Sequence, residues 1–282
     1  LRLAEDFATA DILTRGRTLF GVGRGYHTRE VETFGAPMLD GEANRELFEE
    51  QVEIIMKAFA AEAFSHQGKH YTLPPRVPYR GYELKELTLV PRPVHLPVET
   101  WQPVVSASAR GLDFMHKHGI KGLIGGGAAT MAEKSIYAFQ ESAQRAGKSW
   151  KLGEGLSLGI FYYLADSRER AVREIIPYYE EHVKMFGPLG FVPGITPAQL
   201  AASTRRGGWG AAGVPTVEDY MKVGAWFAGP PEELVSYLRE LESRFPGLEY
   251  VHLSNSMGTP KSVMVDQLAR LGNEVMPHLT NR

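Results

Sequence analysis

The sequence predicts an α/β fold in which parallel strands are covered by helices, and two observations carry that expectation. Short apolar runs alternate with longer segments of helical periodicity, and the alternation repeats five times along 282 residues. The composition, 43% hydrophobic and 23% charged, is that of a globular protein with a sizeable core.

The chain opens on LRLAEDFATADIL, where Leu3, Ala4, Phe7 and Ala8 fall at helical spacing. It begins without a methionine and already inside this helix, which reads as a truncated or processed start. TRGR then turns into a strand from Thr18 to Gly23, with Leu19, Phe20 and Val22 suited to burial. A helix from about Ala43 to Ala61 follows, lined on one face by Phe48, Val52, Ile55 and Phe59. The pattern recurs as WQPVVSA with GLDFMHKHG, IKGLIGG with TMAEKSIYAFQESAQRAG, and LSLGIFYYLA with RERAVREIIPYYEEHVKMF. Last comes LEYVHLS, with a C-terminal helix carrying Val265, Leu268, Leu271, Val275 and Leu279.

Two segments interrupt the rhythm. Residues 62–98 hold many prolines and aromatics, in FSHQGKHYTL and LVPRPVHLP, and read as an extended excursion with short strands. Residues 187–230 are rich in glycine and proline around TPAQLAAST, where Thr196 suits the cap of a short helix. Loops of this length are commonly functional. Gly207, Gly208, Gly210 and Gly213 could hinge and Trp209 could cover an apolar substrate, so 187–230 is a candidate lid; a surface loop with one added helix explains it equally well.

The charge is balanced, 31 Lys plus Arg against 33 Asp plus Glu, for a formal net charge of −2. No run of one sign provides the footprint that nucleic acid or an anionic membrane requires. No apolar run reaches membrane-spanning length and no signal peptide opens the chain, so the expected compartment is the cytoplasm. With no cysteine, disulfides, thiolate metal sites and cysteine nucleophiles are excluded. His116 and His118 stand two apart on a helix and point to different sides, so no metal site is expected.

Three motifs carry candidate chemistry. FGVGRGYHTREVETFG, residues 20–35, departs from the dinucleotide fingerprint because Tyr26 stands at the third glycine's place and no helix follows directly. It places glycines and Arg24 at the C-terminal end of a strand, where parallel α/β folds bind ligands. Taken alone, the plainer reading is slightly ahead: an arginine paired with a neighbouring carboxylate beside a tight turn. GLSLG, residues 155–159, matches the hydrolase elbow in letters only, since IFYYLA continues the strand after Ser157. LIGGGAAT, residues 123–130, suits a plain strand-to-helix turn better than an anion site.

From LRLAEDFATAD to the C-terminus the chain resembles the bacterial luciferase-like family of flavin-dependent monooxygenases. The resemblance rests on RLAEDFATADILTRGR, FGVGRGYHTREVETFG, NRELFEEQVEIIMKAF, FSHQGKHYTL, PRPVHLP, VVSASA and EVMPHL, in that order. It implies one domain over residues 1–282, a TIM (β/α)8 barrel whose excursion, 62–98, falls between the fourth helix and the fifth strand. The five strands then correspond to the fourth to the eighth, with the first three βα units lacking. Pattern alone leaves an open five-stranded sheet as the alternative.

The same resemblance implies reduced FMN, or a deazaflavin as in some branches, at the C-terminal mouth of the barrel. It places Gly23, Arg24, Gly25 and Tyr26 beside the flavin, with Arg24 near its phosphate, and Ser106, Ala107 and Ser108 on the next strand's end, where a serine hydroxyl can donate to that phosphate. Gly23 and Ala107 stand where the luciferases themselves carry larger or charged groups, which argues against light emission. The family's general base comes from an early strand, so no catalytic residue is assigned. The implied partners are a small organic substrate, dioxygen, a flavin reductase supplying reduced FMN, and a second copy in a homodimer. The alternatives are a non-catalytic partner subunit and a deazaflavin-dependent hydride-transfer oxidoreductase.

Overall fold

A computed structural model describes residues 1–76, 78–125, 131–189, 191–192, 195–203 and 212–279. They divide into two compact units: Leu1–Pro103 with Ser108–Gly122, and Val104–Ala107 with Leu123–Arg282.

The first unit is built on helix α1 (Arg2–Leu13), strand β1 (Phe20–Gly21), the short helix α2 (Thr28–Thr33) and the long helix α3 (Gly41–Ala60). Asp40 caps α3 by accepting from the amides of Glu42 at 3.1 Å and Ala43 at 3.0 Å. One face of α3 buries Phe48, Val52, Ile55 and Phe59, the apolar stripe of the sequence. Phe59 meets Phe7 of α1 and Phe20 of β1, each with ring centroids 5.4 Å apart, so three aromatic rings join helix, strand and helix. β1 pairs in parallel with β6 (Thr100–Pro103), Phe20 opposite Thr100.

The excursion after α3 forms two antiparallel pairs, β2 (His66–Gln67) with β3 (Thr72–Leu73) and β4 (Pro78–Tyr79) with β5 (Tyr82–Glu83). Buried Glu50 of α3 anchors the first pair. Its carboxylate accepts from the amides of His70 and Tyr71, both at 2.9 Å, and lies 3.1 Å from His66 Nε2. Lys57 Nζ lies 3.1 Å from the other ring nitrogen of His66. Burial pulls the Glu50 pKa upward, but the donors from His70, His66 and Tyr71 outweigh it and hold the carboxyl below its ordinary range. Helix α4 (Ala109–Lys117) closes the unit, and β7 (Lys121–Ile124) carries the chain into the next.

The second unit centres on β8 (Leu156–Leu164), with helices α5 (Met131–Arg145), α6 (Arg168–Phe186) and α7 (Pro197–Ser203). β8 pairs in parallel with β10 (Tyr250–Ser254) along Ser157 to Phe161 and with β9 (Trp226–Gly229) along Phe161 to Leu164. The parallel pairing in both units is what alternating strands and helices demand. Residues on α6, β8 and β9 form an aromatic core in which Phe161 stacks on Trp226 and Tyr179 meets the edge of Trp226. His182 of α6 lies in this core, 4.5 Å from the Phe161 ring and 4.6 Å from that of Phe186. Its Nδ1 has no hydrogen-bond partner among the described residues, and burial pushes its pKa down to about 4.

Three sequence expectations change. Leu3 and Leu19 are more than half exposed, because Ala4, Phe7, Phe20 and Val22 already fill the space beneath them. β9 is a sixth strand, lying inside the loop-rich segment, where its four residues WFAG are too few to show a period. In the C-terminal helix Val265 and Leu268 are exposed and Gln267 is buried instead. The reason is polar: Gln267 accepts from the Leu164 amide at 2.6 Å and donates to the Leu164 carbonyl at 2.9 Å. The helix Lys261–Arg270 then gives way to a π-turn over Leu271–Val275, which rotates Val275 inward.

Two outcomes follow from these contacts. A Cβ at Gly68 would overlap the Glu50 carboxylate and the His66 ring, both fixed by their partners, so Gly68→Ala should lower stability by about 2 kcal/mol in urea denaturation; an unchanged midpoint would show the anchor to be dispensable. His182 is neutral when folded and charges more readily when unfolded, so stability should decline as pH falls from about 6.5 towards about 4. Comparing His182→Phe with the wild type across that window isolates the contribution, expected at about 2 kcal/mol after screening.

Candidate functional site

The site of interest is assembled at the start of α4. Ala107 takes left-handed backbone, φ 44°, immediately before Ser108. Ser108 is extended and caps the helix, its Oγ accepting from the Gly111 amide at 3.4 Å. The same hydroxyl accepts from Arg45 of α3 at 3.4 Å. A Cβ on Gly111 would lie 3.0 Å from Ser108 Oγ and 3.6 Å from the Arg45 guanidinium, so glycine leaves both groups room at the helix end.

Arg24 enters from the loop after β1. Its guanidinium donates to Asn44 Oδ1 at 3.2 Å, and Asn44 Nδ2 donates back to the Arg24 carbonyl at 3.4 Å. Asn44 is buried, so the pair sets the direction of Arg24. Burial lowers the Arg24 pKa, the positive charge of Arg45 lowers it further, and Glu49 opposes them. Glu49 is itself engaged by Arg110 at 2.7 Å, and Arg110 also holds Glu42. Among the described residues neither Arg24 nor Arg45 has a carboxylate within ion-pair distance. Two guanidiniums, one hydroxyl and the amide end of a nine-residue helix therefore present unneutralised positive potential. This donor set suits a phosphate, which guanidinium groups grip with paired hydrogen bonds.

The other residues singled out in the sequence lie as follows. Gly23 is exposed with open space where a Cβ would stand. Gly25 has φ 82°, and a side chain there would run into Val31. Tyr26 is 56% exposed. Ser106, which is exposed, and Ala107 group with the second unit. Arg45 and Asn44 escaped the sequence reading. The available signal was an arginine within the first five residues of a helix, where the helix dipole disfavours positive charge.

Ser157 sits within β8, which runs on to Leu164, so no elbow forms; its Oγ lies 3.2 Å from His252 Nδ1. Of LIGGGAAT only Leu123, Ile124 and Gly125 fall within the described residues. Gly207, Gly208, Trp209 and Gly210 lie outside them, while Gly213 has φ 64°. Thr196 does cap α7, accepting from the Gln199 amide at 3.2 Å. His118 Nε2 is 3.5 Å from Glu53, and no group of three or more acidic or histidine side chains among the described residues could hold a metal ion. No described helix is long and apolar enough to cross a membrane. A cleft of about 440 Å³ in the second unit is lined in part by Trp226 and Phe227, but Glu232, Glu233 and Glu240 outnumber Arg168 around it, which disfavours an anion.

Comparison with known proteins adds to this geometry. Residues 1–246 match the family model described as luciferase-like monooxygenase. A 74-residue stretch is 31% identical to the uncharacterized protein y4vJ of Sinorhizobium fredii, covering 26% of this chain and 20% of that relative. Among solved structures, the monooxygenase RslO1 from Streptomyces bottropensis superposes with a TM-score of 0.72 at 18% identity, over 99% of this chain and 74% of that one. The oxygenating constituent of 3,6-diketocamphane monooxygenase from Pseudomonas putida, solved with FMN, gives 0.69 at 15% identity, over 98% and 75%. An F420-dependent secondary alcohol dehydrogenase, solved with an F420-acetone adduct, gives 0.65 at 16% identity, over 99% and 74%. At these identities the structural likeness is one of fold.

Replacing the cap tests the local architecture. Ser108→Ala should destabilise the protein by about 1 kcal/mol in chemical denaturation, and Ser108→Thr should recover most of that loss; equal stability of all three proteins would show that α4 needs no cap.

Proposed function

The chain belongs to the luciferase-like monooxygenase family, and from that premise we propose that it is a flavin-dependent oxidoreductase whose first unit grips the phosphate of reduced FMN. The observation that carries this reading is the convergence of Arg24, Arg45 and the capped end of α4 with, among the described residues, no carboxylate within ion-pair distance of either arginine. Burial and then the Arg45 charge depress the Arg24 pKa, and a phosphate dianion there would oppose both by favouring the charged guanidinium.

In this reading Arg24 and Arg45 bind the phosphate as charged donors, and Ser108 donates its hydroxyl while remaining the helix cap. Asn44 holds Arg24 in position from behind. Gly23 leaves the backbone open on the approach to the site, so a planar ring can lie against it. Tyr26 completes the proposed set as a further polar contact to the cofactor. Bound reduced flavin supplies the electrons that activate dioxygen, one oxygen atom passing to a small organic substrate and the other leaving as water. The protein's part is to orient the ring and keep water from it. A separate flavin reductase delivers the reduced cofactor, and a homodimer is the proposed assembly. The F420-dependent neighbour supports a second reading, hydride transfer with a deazaflavin held by the same phosphate grip.

Titration with FMN, reduced FMN, riboflavin and a deazaflavin separates these readings. Arg24→Ala and Arg45→Ala should each weaken FMN at least tenfold, about 1.4 kcal/mol or more, and leave riboflavin unaffected. FMN binding that is indifferent to both substitutions, or no tighter than riboflavin, refutes the phosphate grip.

A further inference from the structure

A different part of the molecule holds two buried polar groups without partners. Tyr162 of β8 is 1% exposed, and its hydroxyl makes no hydrogen bond among the described residues; nor does the Nδ2 of Asn255, also shut off from solvent. The two face each other. Phe161 pairs with Ser254 in the parallel register of β8 and β10; Tyr162 is the next residue of β8, and Asn255 directly follows the end of β10. The amide is near enough to the phenol to act on its ionisation, though burial dominates and holds the pKa above its ordinary value. The phenol therefore stays protonated at neutral pH and can donate.

Their setting points to a ligand. Strand alternation puts Leu158, Ile160 and Leu164, each at most 1% exposed, on the same side of β8 as Tyr162. Tyr162 and Asn255 thus stand near the C-terminal ends of two neighbouring parallel strands, at the rim of an apolar wall, where α/β folds place their ligands. An unsatisfied buried hydroxyl costs about 1–3 kcal/mol, and such a cost tends to persist where function uses the group. Two donors side by side fit one oxygen with two lone pairs.

We infer that Tyr162 and Asn255 form a subsite for a carbonyl oxygen of a small, mainly apolar molecule. The oxygen belongs either to an organic substrate or to the flavin ring. The inference rests on the proposed function only for the identity of the second of these ligands; its residues are independent of the phosphate grip.

The test uses two probes that lack a phosphate, lumiflavin and cyclohexanone, against the wild type, Tyr162→Phe and Asn255→Ala. Each substitution should weaken one probe about tenfold, while ligand-free Tyr162→Phe melts at or above the wild-type temperature, because an orphaned hydroxyl has been removed. A loss confined to lumiflavin assigns the oxygen to the flavin ring, and one confined to cyclohexanone assigns it to the substrate. The subsite is overturned if the wild type binds neither probe, if Tyr162→Phe binds both unchanged, or if that variant melts several degrees lower, as it would on losing a satisfied hydrogen bond. Failure of the phosphate grip would leave these readouts untouched.

Discussion

Two like charges held near each other, with no carboxylate among the described residues at ion-pair distance from either, are the constraint on which the first unit turns. Arg24 and Arg45 repel, and a chain free to rearrange would turn one of them to Glu42 or Glu49. Arg110 prevents this by engaging both carboxylates, while Asn44 and Ser108 give the two guanidiniums neutral partners. The fold thus spends two carboxylates on an outer arginine, and the inner two keep the neutral partners on which the proposed phosphate grip rests. Neutral partners orient a charge without cancelling it.

The scaffold that permits this is stiff. α3 supplies Asn44 and Arg45 near its start, packs Phe59 into the aromatic trio near its end, and uses Glu50 in between to secure the turn of the β2–β3 pair. A helix fixed at three points along its length cannot roll, so the direction of Arg45 follows from packing far from its own side chain. α4 is tied to the same helix by Lys117 and Glu53 at 2.8 Å as well as by Arg110.

Much of this was legible in the sequence, and the omissions have physical causes. The α/β class and the face of α3 were readable because Phe48, Val52, Ile55 and Phe59 repeat with the period of a helix. The family was readable because several motifs recur in a fixed order. Arg45 offered only a weak local signal, a positive charge in the first turns of a helix, because its contact with Ser108, 63 residues away, leaves no pattern in the nearby sequence. β9 was missed because a four-residue buried strand has no period. The C-terminal helix was misread because hydrophobicity assigns Val265 and Leu268 to the core, whereas a hydrogen-bonding demand from β8 draws Gln267 there instead.

That glutamine does more than fill a position. In a parallel ladder the N–H and C=O of one residue face the same flank of the strand, and at Leu164 the flank away from β9 is closed by side chains: the Gln267 amide supplies both an acceptor and a donor, and Arg270 adds a second donor to the carbonyl at 3.3 Å. Gln267 thereby imitates one rung of a neighbouring strand without being one. β10 occupies this flank of β8 as far as Phe161, and where it leaves off the helix-borne side chains take its place, so no backbone valence is left open at Leu164 for a further strand.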